Sequence, residues 1–273
     1  MKLRNDLEYL HGLIELTEEQ ANERNLLEHS FSNLDKVLLI DADSLLFNVV
    51  NFHKDKETEE DLELQYEDFH TQVRSIANRI EDDGFNVEEI IYFFTTCKNN
   101  FRKEINPEYK ANRPQDKTRF LVGMLKHYTI QMLEDEMSDV KYSDTLEADD
   151  LIAQATYFYD NAIIVSIDKD LKQLEGIHFD YYKLKTGEVD ELGNELREYK
   201  GWTYTTKQKG FNLLLYMLLM GDKADNIKGV DGIGIKTAKK ILDNRNNFGK
   251  LRTVVEKYND INRLRNNIKL IKL

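Results

Sequence analysis

With a single cysteine, Cys97, the chain can form no internal disulfide, and one thiol cannot build a zinc site by itself. Both fit a reducing compartment. No run of about eighteen apolar residues occurs, the longest candidate being FNLLLYMLLM at 211–220, so a membrane-spanning helix is not expected. The N-terminus, MKLRNDLEYLHGLIELTEEQ, carries charge where a secretory signal needs an apolar stretch, which argues for the cytoplasm. Basic charge is short as well, 38 Lys and Arg against 50 Asp and Glu. A net charge of −12 argues at first against a polyanionic partner.

The distribution of charge tells another story. Residues 1–89 hold most of the excess acid, whereas Lys98–Lys126 and Lys223–Lys272 are net basic, the second with thirteen Lys and Arg against five acids. Either basic stretch could be a solvated face or a contact for phosphates. Apolar content of 41% over 273 residues is enough for a real core.

Three apolar runs end in or near polar residues: KVLLID at Asp41, EEIIYFFTT near Thr95 and NAIIVSID at Asp168. They read as buried strands, and the helical patterns around Leu62–Ile80 and Phe120–Leu133 alternate with them. Strand, helix, strand, helix predicts an α/β fold with a mainly parallel sheet between helices. Sites in such folds gather beyond the carboxyl ends of the strands. Residues 1–35 read as a polar helical extension, with Leu7, Leu10 and Ile14 at helical spacing. Both prolines, Pro107 and Pro114, lie in NPEYKANRPQDK, expected to be an exposed loop or a mobile cover over the strand ends.

Acids recur at those ends. LEADD sets Glu147, Asp149 and Asp150 at a helix start, SIDKD sets Asp168 and Asp170 two apart, and GDKADN sets Asp222 and Asp225 three apart. Helix capping, with Asp144 or Thr145 as N-cap, would account for the first group alone. Bringing all of them together costs repulsion unless cations offset it. Hard oxygen donors without His or Cys suit Mg2+ or Mn2+, and two such ions about 3.5–4 Å apart suit phosphodiester hydrolysis. Downstream, GVDGIGIKTAKKIL places Gly232 and Gly234 ahead of a helix bearing Lys236, Lys239 and Lys240. Glycines admit a phosphate to the backbone, and helix-start amides can receive it, so this hairpin would hold nucleic-acid backbone without reading bases.

LLIDAD, PEYKANR, LEADD, SIDKD, GDKADN and GVDGIGIKTA, in that order over about residues 36–270, resemble the 5′-nuclease superfamily of flap endonucleases and 5′-3′ exonucleases, most closely the short freestanding bacteriophage type. The resemblance implies a PIN-like nuclease core over 36–202, with an arch at about 98–126. A helix-three-turn-helix DNA-binding element would follow, within a region spanning 203–273. It implies that Asp41, Glu147 and Asp149 hold a first ion, supported by Asp150, and that Asp168, Asp170, Asp222 and Asp225 hold a second. Asp41, Asp149, Lys110 and Arg113 would act in catalysis, and Tyr109, Lys110, Arg113, Gly232, Gly234, Lys236, Lys239 and Lys240 would meet DNA, with a K+ at the hairpin. The implied substrates are DNA 5′ ends, flaps and nicks, RNA–DNA hybrids included, cut by a monomer. Neither a polymerase domain nor a C-terminal partner-binding tail is expected.

One position departs from the resemblance. Where an aspartate for the first ion would end the second strand, this chain has Thr95 or Thr96. Either the first ion is held more weakly, or Asp43 leans in, unless Asp43 merely caps the helix that follows it. A junction-binding protein with impaired catalysis is the alternative. DADS together with GDKADN also resembles the aspartyl-phosphate phosphatases, in which Asp41 would be a nucleophile, but that leaves LEADD, SIDKD and the hairpin unexplained.

Overall fold

The computed structural model describes residues 35–53, 58–182, 201–243 and 245–273, so residues 1–34 of the expected helical extension lie outside it. The central sheet has the order β3-β2-β1-β4-β5-β6. Its strands are β1 (Asp35–Asp41), β2 (Asn86–Thr95), β3 (Asp139–Ser143), β4 (Ala162–Val165), β5 (Gly176–Phe179) and β6 (Trp202–Thr205). All neighbours pair in parallel except β5 and β6.

The continuous apolar runs are explained by burial on both faces. Along β1, Leu38 and Ile40 point into one core while Val37 and Leu39 point into another. β2 divides the same way, Tyr92 and Phe94 against Ile91 and Phe93, as the two-residue period of a strand requires. Helices α1 (Ala42–Phe52), α2 (Glu59–Asp82) and α4 (Lys117–Asp135) cover the first face. Helix α5 (Ala148–Ala155) and a short 3-10 turn at Asp170–Gln173 cover the second.

A third core belongs to the C-terminal helices α6 (Lys207–Met220), α7 (Ile235–Leu242), α8 (Asn247–Tyr258) and α9 (Ile261–Ile271). Between α6 and α7 runs a two-residue ladder, β7 (Gly221–Asp222) with β8 (Ile227–Lys228). Arg102, on the short helix α3 (Phe101–Ile105), donates from Nε to the Leu270 carbonyl at 2.9 Å, and Gln173 donates to Ile271 at 3.0 Å. Two of the carbonyls left open at the end of α9 are thereby satisfied from the nuclease core.

The 107–116 segment departs from the expected exposed excursion. Glu108, Ala111, Asn112 and Gln115 are exposed, but Tyr109 is 1% exposed and packs into the C-terminal core. Its backbone is bound too: Lys110 N–H donates to the Asp225 carbonyl at 3.0 Å, and Asn226 and Asn112 side chains donate to the Glu108 and Lys223 carbonyls. An aromatic ring with a buried apolar site available gains more from burial than from cover over solvent.

Candidate active site

The carboxyl ends of β1, β2 and β4 open into a cavity of about 480 Å3 lined by Asp41, Asp43, Glu147, Asp149 and Asp168. Lys103, Lys110, Arg113, Arg119 and Lys126 line it as well, Lys110 and Lys126 in direct contact with the acids. Behind Asp149, a hole of about 10 Å3 is bordered by Asp149, Asp170, Asp222 and Asp225, room for about one water-sized species. Acids read from separate motifs therefore meet in two adjoining places.

Each acid is set by local structure. Asp41 ends β1, and its Oδ2 accepts from Ser166 Oγ at 2.7 Å and Ser44 Oγ at 3.1 Å. Burial first, and then the charge of Asp43, push its pKa up to about 6. Glu147 is the N-cap of α5, where Asp144 or Thr145 was expected, and Asp150 Oδ2 accepts the Glu147 N–H at 3.0 Å. Capping and clustering thus share one turn: Asp150 faces back to the helix start while Glu147 and Asp149 face the cavity. Asp149 is raised to about 7, by burial and then by Asp150 and Glu147. Asp170 is also raised to about 7, by burial and then by Asp168. Asp222 Oδ1 accepts the Ala224 N–H at 2.7 Å, fixing the turn that brings Asp225 inward.

Among the described residues, no three of these acids stand at the spacing of a closed metal site. Cationic side chains stand between them. Lys110 Nζ is 2.7 Å from both Glu147 oxygens and 3.6 Å from Asp225. Lys169 lies 3.9 Å from both Asp170 and Asp222, and Arg113 pairs with Asp225. Both Asp150 oxygens are held by Arg102, at 2.5 and 2.8 Å, so this carboxylate is the one among those expected to hold metal that a guanidinium already occupies bidentately. Two buried carboxylate oxygens, Asp43 Oδ1 and Asp170 Oδ1, accept no hydrogen bond. Orphaned acceptors in a crowd of raised pKa values are the signature of a site built for a positive ligand.

Two positioning residues, Asn100 and Arg102, escaped the motifs, and Tyr109, expected to meet DNA, is instead buried with its hydroxyl turned to the acids. Asn100 donates to Glu147 Oε1, and the Tyr109 hydroxyl is 2.9 Å from both Glu147 Oε2 and Asp225 Oδ2. The Tyr109 pKa is driven far up by burial and then by Glu147 and Asp225, so it stays a neutral phenol. Arg102 is 1% exposed. Lys110 itself sits at φ 58°, a left-handed backbone that costs a non-glycine residue roughly 1 kcal/mol or more. Thr95 faces the cavity, whereas Thr96 turns away and donates to the Ser143 carbonyl at 3.1 Å. Cys97 borders the cavity as well, its thiol pushed up by burial.

The hairpin forms a groove of about 810 Å3 that runs from Gly221 and Asp222 to Gly234 and Ile235, with Lys169 on its rim. Asp222 and Lys169 therefore belong to both the groove and the acid centre. Gly232 has φ +76°, and a side chain at Gly232 or Gly234 would meet nothing within 4 Å. What these glycines leave is open backbone. Gly221 and Gly229, which open the motifs GDKADN and GVDGIGIKTA, do the opposite: a Cβ on Gly229 would lie 2.2 Å from the Gly221 nitrogen. They let β7 and β8 pack under α6. Arg263 donates to the Gly229 carbonyl and Asn267 to Lys228 at 2.8 Å, bracing the hairpin from α9. Lys236, Lys239 and Lys240 are exposed on α7.

A model of the 5′-3′ exonuclease N-terminal resolvase-like domain matches residues 36–200, and one of the 5′-3′ exonuclease C-terminal SAM fold matches residues 212–272. The chain belongs to the 5′-3′ exonuclease family. It is 33% identical over 189 residues to a 5′-3′ exonuclease of Buchnera aphidicola subsp. Schizaphis graminum, covering 68% of this chain and 62% of that one. It is 31% identical over 166 residues to DNA polymerase I of Borreliella burgdorferi, covering 58% of this chain and 17% of that one. The chain thus spans less than two thirds of the length of these relatives. In fold it is similar to the bacteriophage T5 D15 protein co-crystallised with metal ions, with a TM-score of 0.62 at 19% identity over 87% of this chain and 89% of that one. Membership in this family overturns the aspartyl-phosphate phosphatase reading. Asp41, 9% exposed and held by two hydroxyls, is also poorly placed to attack a phosphate.

Proposed function

We propose that the chain is a structure-specific 5′ nuclease that hydrolyses DNA phosphodiesters near 5′ ends, flaps and nicks with divalent metal ions. The observation that carries this reading is the convergence of carboxylates from four separate segments on two adjoining cavities, with lysines and arginines interleaved among them. The donor set fits hard divalent cations, Mg2+ or Mn2+, because every donor is oxygen and two buried carboxylate oxygens, Asp43 Oδ1 and Asp170 Oδ1, accept no hydrogen bond and meet only lysine charge. Asp41, Glu147, Asp149 and Asp168 would hold one ion. Asp170, Asp222 and Asp225, with Asp149, would hold the other. Bound ions supply Lewis acidity at the phosphoryl oxygens.

The chain's own residues do the rest. Asn100 and Tyr109 fix the Glu147 carboxylate, and Arg102 anchors Asp150 so that the first turn of α5 cannot rotate away. Lys110 is a stand-in cation that keeps Glu147 and Asp225 neutralised. With bound cations meeting that charge, the Lys110 ammonium and the Arg113 guanidinium would be available to the scissile phosphate. The hairpin groove, continuous with the acids through Asp222 and Lys169, would hold duplex backbone through Gly232, Gly234, Lys236, Lys239 and Lys240, with K+ at the hairpin. RNA–DNA hybrids belong to the same substrate class, taken by a monomer in the cytoplasm. Supporting the reading further, the T5 protein of this fold has been crystallised with DNA and metal ions.

The test uses a 5′-labelled flap, a nicked duplex and an RNA–DNA hybrid with Mg2+, Mn2+ or a chelator. Cleavage only in the presence of metal is expected. Asp170→Ala should lower turnover on the order of 10²–10³-fold, the scale of losing one preorganised electrostatic group, while flap binding stays near that of the natural protein. Binding without cleavage in either metal would replace this reading with that of a junction-binding protein.

A further inference from the structure

Of the strand ends that frame the acid cavity, one brings no charge. β1 ends in Asp41, Asp168 follows β4, and the connection after β3 brings Glu147, whereas β2 ends in Thr95. Thr95 is neutral and already engaged: its Oγ1 accepts the Ala148 N–H at 3.0 Å and its carbonyl accepts from Lys126 Nζ at 2.7 Å. The carboxylate found at this spot comes from another element. Asp43, in the first turn of α1, accepts the Thr95 N–H through Oδ2 at 3.1 Å.

Asp43 is therefore no helix cap. N-cap carboxylates bond the amides of their own helix, and the α1 N-cap is Asp41, while the Asp43 side chain reaches across to β2. It lines the same cavity as Asp41, Glu147, Asp149 and Asp168. Its Oδ1 is buried without a hydrogen bond. Lys126 Nζ is 2.7 Å from that oxygen but off the direction a hydrogen bond needs, so the contact is ionic and leaves a lone pair open.

We infer that Asp43 supplies at the end of β2 the carboxylate that Thr95 does not, as an additional ligand to the cation held by Asp41, Glu147, Asp149 and Asp168, with Lys126 as its displaceable counter-ion. This inference rests on the metal-dependent reading of the site. It makes two opposite demands on neighbouring residues. Removing Asp43 should weaken one ion, and removing Lys126 should strengthen it, because an ammonium and a dication compete for the same oxygen. A pair that is merely structural has no reason to respond in opposite directions.

The experiment is Mn2+ uptake by the DNA-free protein, counted by electron paramagnetic resonance of the free ion and by titration calorimetry. Asp43→Asn should weaken one class of site by about 10–100-fold, the range for losing a metal-proximal carboxylate, and leave the other class in place. Lys126→Met should tighten the same class, and adding Thr95→Asp to Asp43→Asn should recover it. Unchanged uptake in Asp43→Asn beside normal uptake in the natural protein overturns this inference alone. Weakening by Lys126→Met equal to that by Asp43→Asn also overturns it. No uptake by the natural protein overturns both this inference and the metal-dependent reading.

Discussion

At the strand ends Lys110 lies 2.7 Å from Glu147 and Arg102 grips Asp150 with two hydrogen bonds; on α7, Lys236, Lys239 and Lys240 stand in solvent beside glycines with open space around them. One region has its charges paired before any ligand arrives, and the other waits for its counter-charge. The difference follows from burial. In a site with low local dielectric an unpaired carboxylate is costly, so lysines and arginines must be folded in with the acids. On an exposed helix, unpaired lysines cost little, and they keep the counterion atmosphere whose exchange drives backbone binding. Changes at the strand ends should therefore register in stability, and changes at the hairpin only when DNA is present.

The largest expected effect breaks the comparison at its most buried point. Arg102→Met strips the bidentate partner from Asp150, whose side chain is 11% exposed, and the donor from the carbonyl of buried Leu270. Leaving a buried charge unpaired costs about 3–5 kcal/mol, to be read from urea unfolding of the metal-free protein. Arg102→Met with Asp150→Leu should recover most of that loss, because the uncompensated charge is then gone. A loss as large in the double variant would mean that the Leu270 contact, and not the ion pair, carries the stability. Lys236→Ala in the same assay should change stability by no more than about 0.5 kcal/mol.

How far this contrast could be read from the letters depended on distance along the chain. The strands ending at Asp41 and Thr95, and the one that ends at Val165 just before Asp168, were legible because burial on both faces writes a continuous apolar run. β3, reading DVKYS at the sheet edge, and the four-residue β5 and β6 carry no such run and were missed. The acids were legible as motifs, since their spacing is local. Lys110 and Arg113 came with a motif, but other partners did not: Asn100 meets Glu147 across 47 positions and Arg102 meets Asp150 across 48. Lys126 appeared only as one more positive charge in a basic stretch. The capping and site readings of LEADD proved to be shared between residues of one turn, which no count of letters separates.

A smaller effect tests whether the strand-end acids are repelling one another as their environment implies. The Asp149 pKa is raised from 3.8 to about 7 in the folded protein, so between those values the folded state binds more proton than the unfolded state. Stability from this group is then full below about pH 4 and lost as pH rises through about 7. In the metal-free protein, the natural chain should lose stability relative to Asp149→Asn as pH goes from 5 to 8, by a few kcal/mol at most. His178, lowered to about 4 by burial, acts with the opposite sign, losing stability as pH falls below 6.5, but it is common to both proteins and cancels in the difference. Saturating Mn2+ should flatten the difference by keeping the carboxylates ionised. A difference that stays level with pH in the metal-free pair would mean that Asp149 ionises freely and that the lysines already neutralise it.

The smallest effect sharpens the hairpin side. If Lys236 meets a duplex phosphate, Lys236→Ala removes about one released counterion, and the slope of log affinity against log salt should flatten by about 0.9 for a flapped DNA, whatever its sequence. Lys110 offers the matched control, measured in chelator so that it remains beside Glu147. A lysine already carrying a carboxylate releases few ions on contact, so Lys110→Ala should move the slope by much less than Lys236→Ala. Equal shifts would mean that the strand-end lysine leaves its acid as soon as DNA arrives, even without metal. No shift in either would return the α7 lysines to a solvated face, and would leave the open glycine backbone at Gly232 and Gly234 as the hairpin's means of holding phosphate.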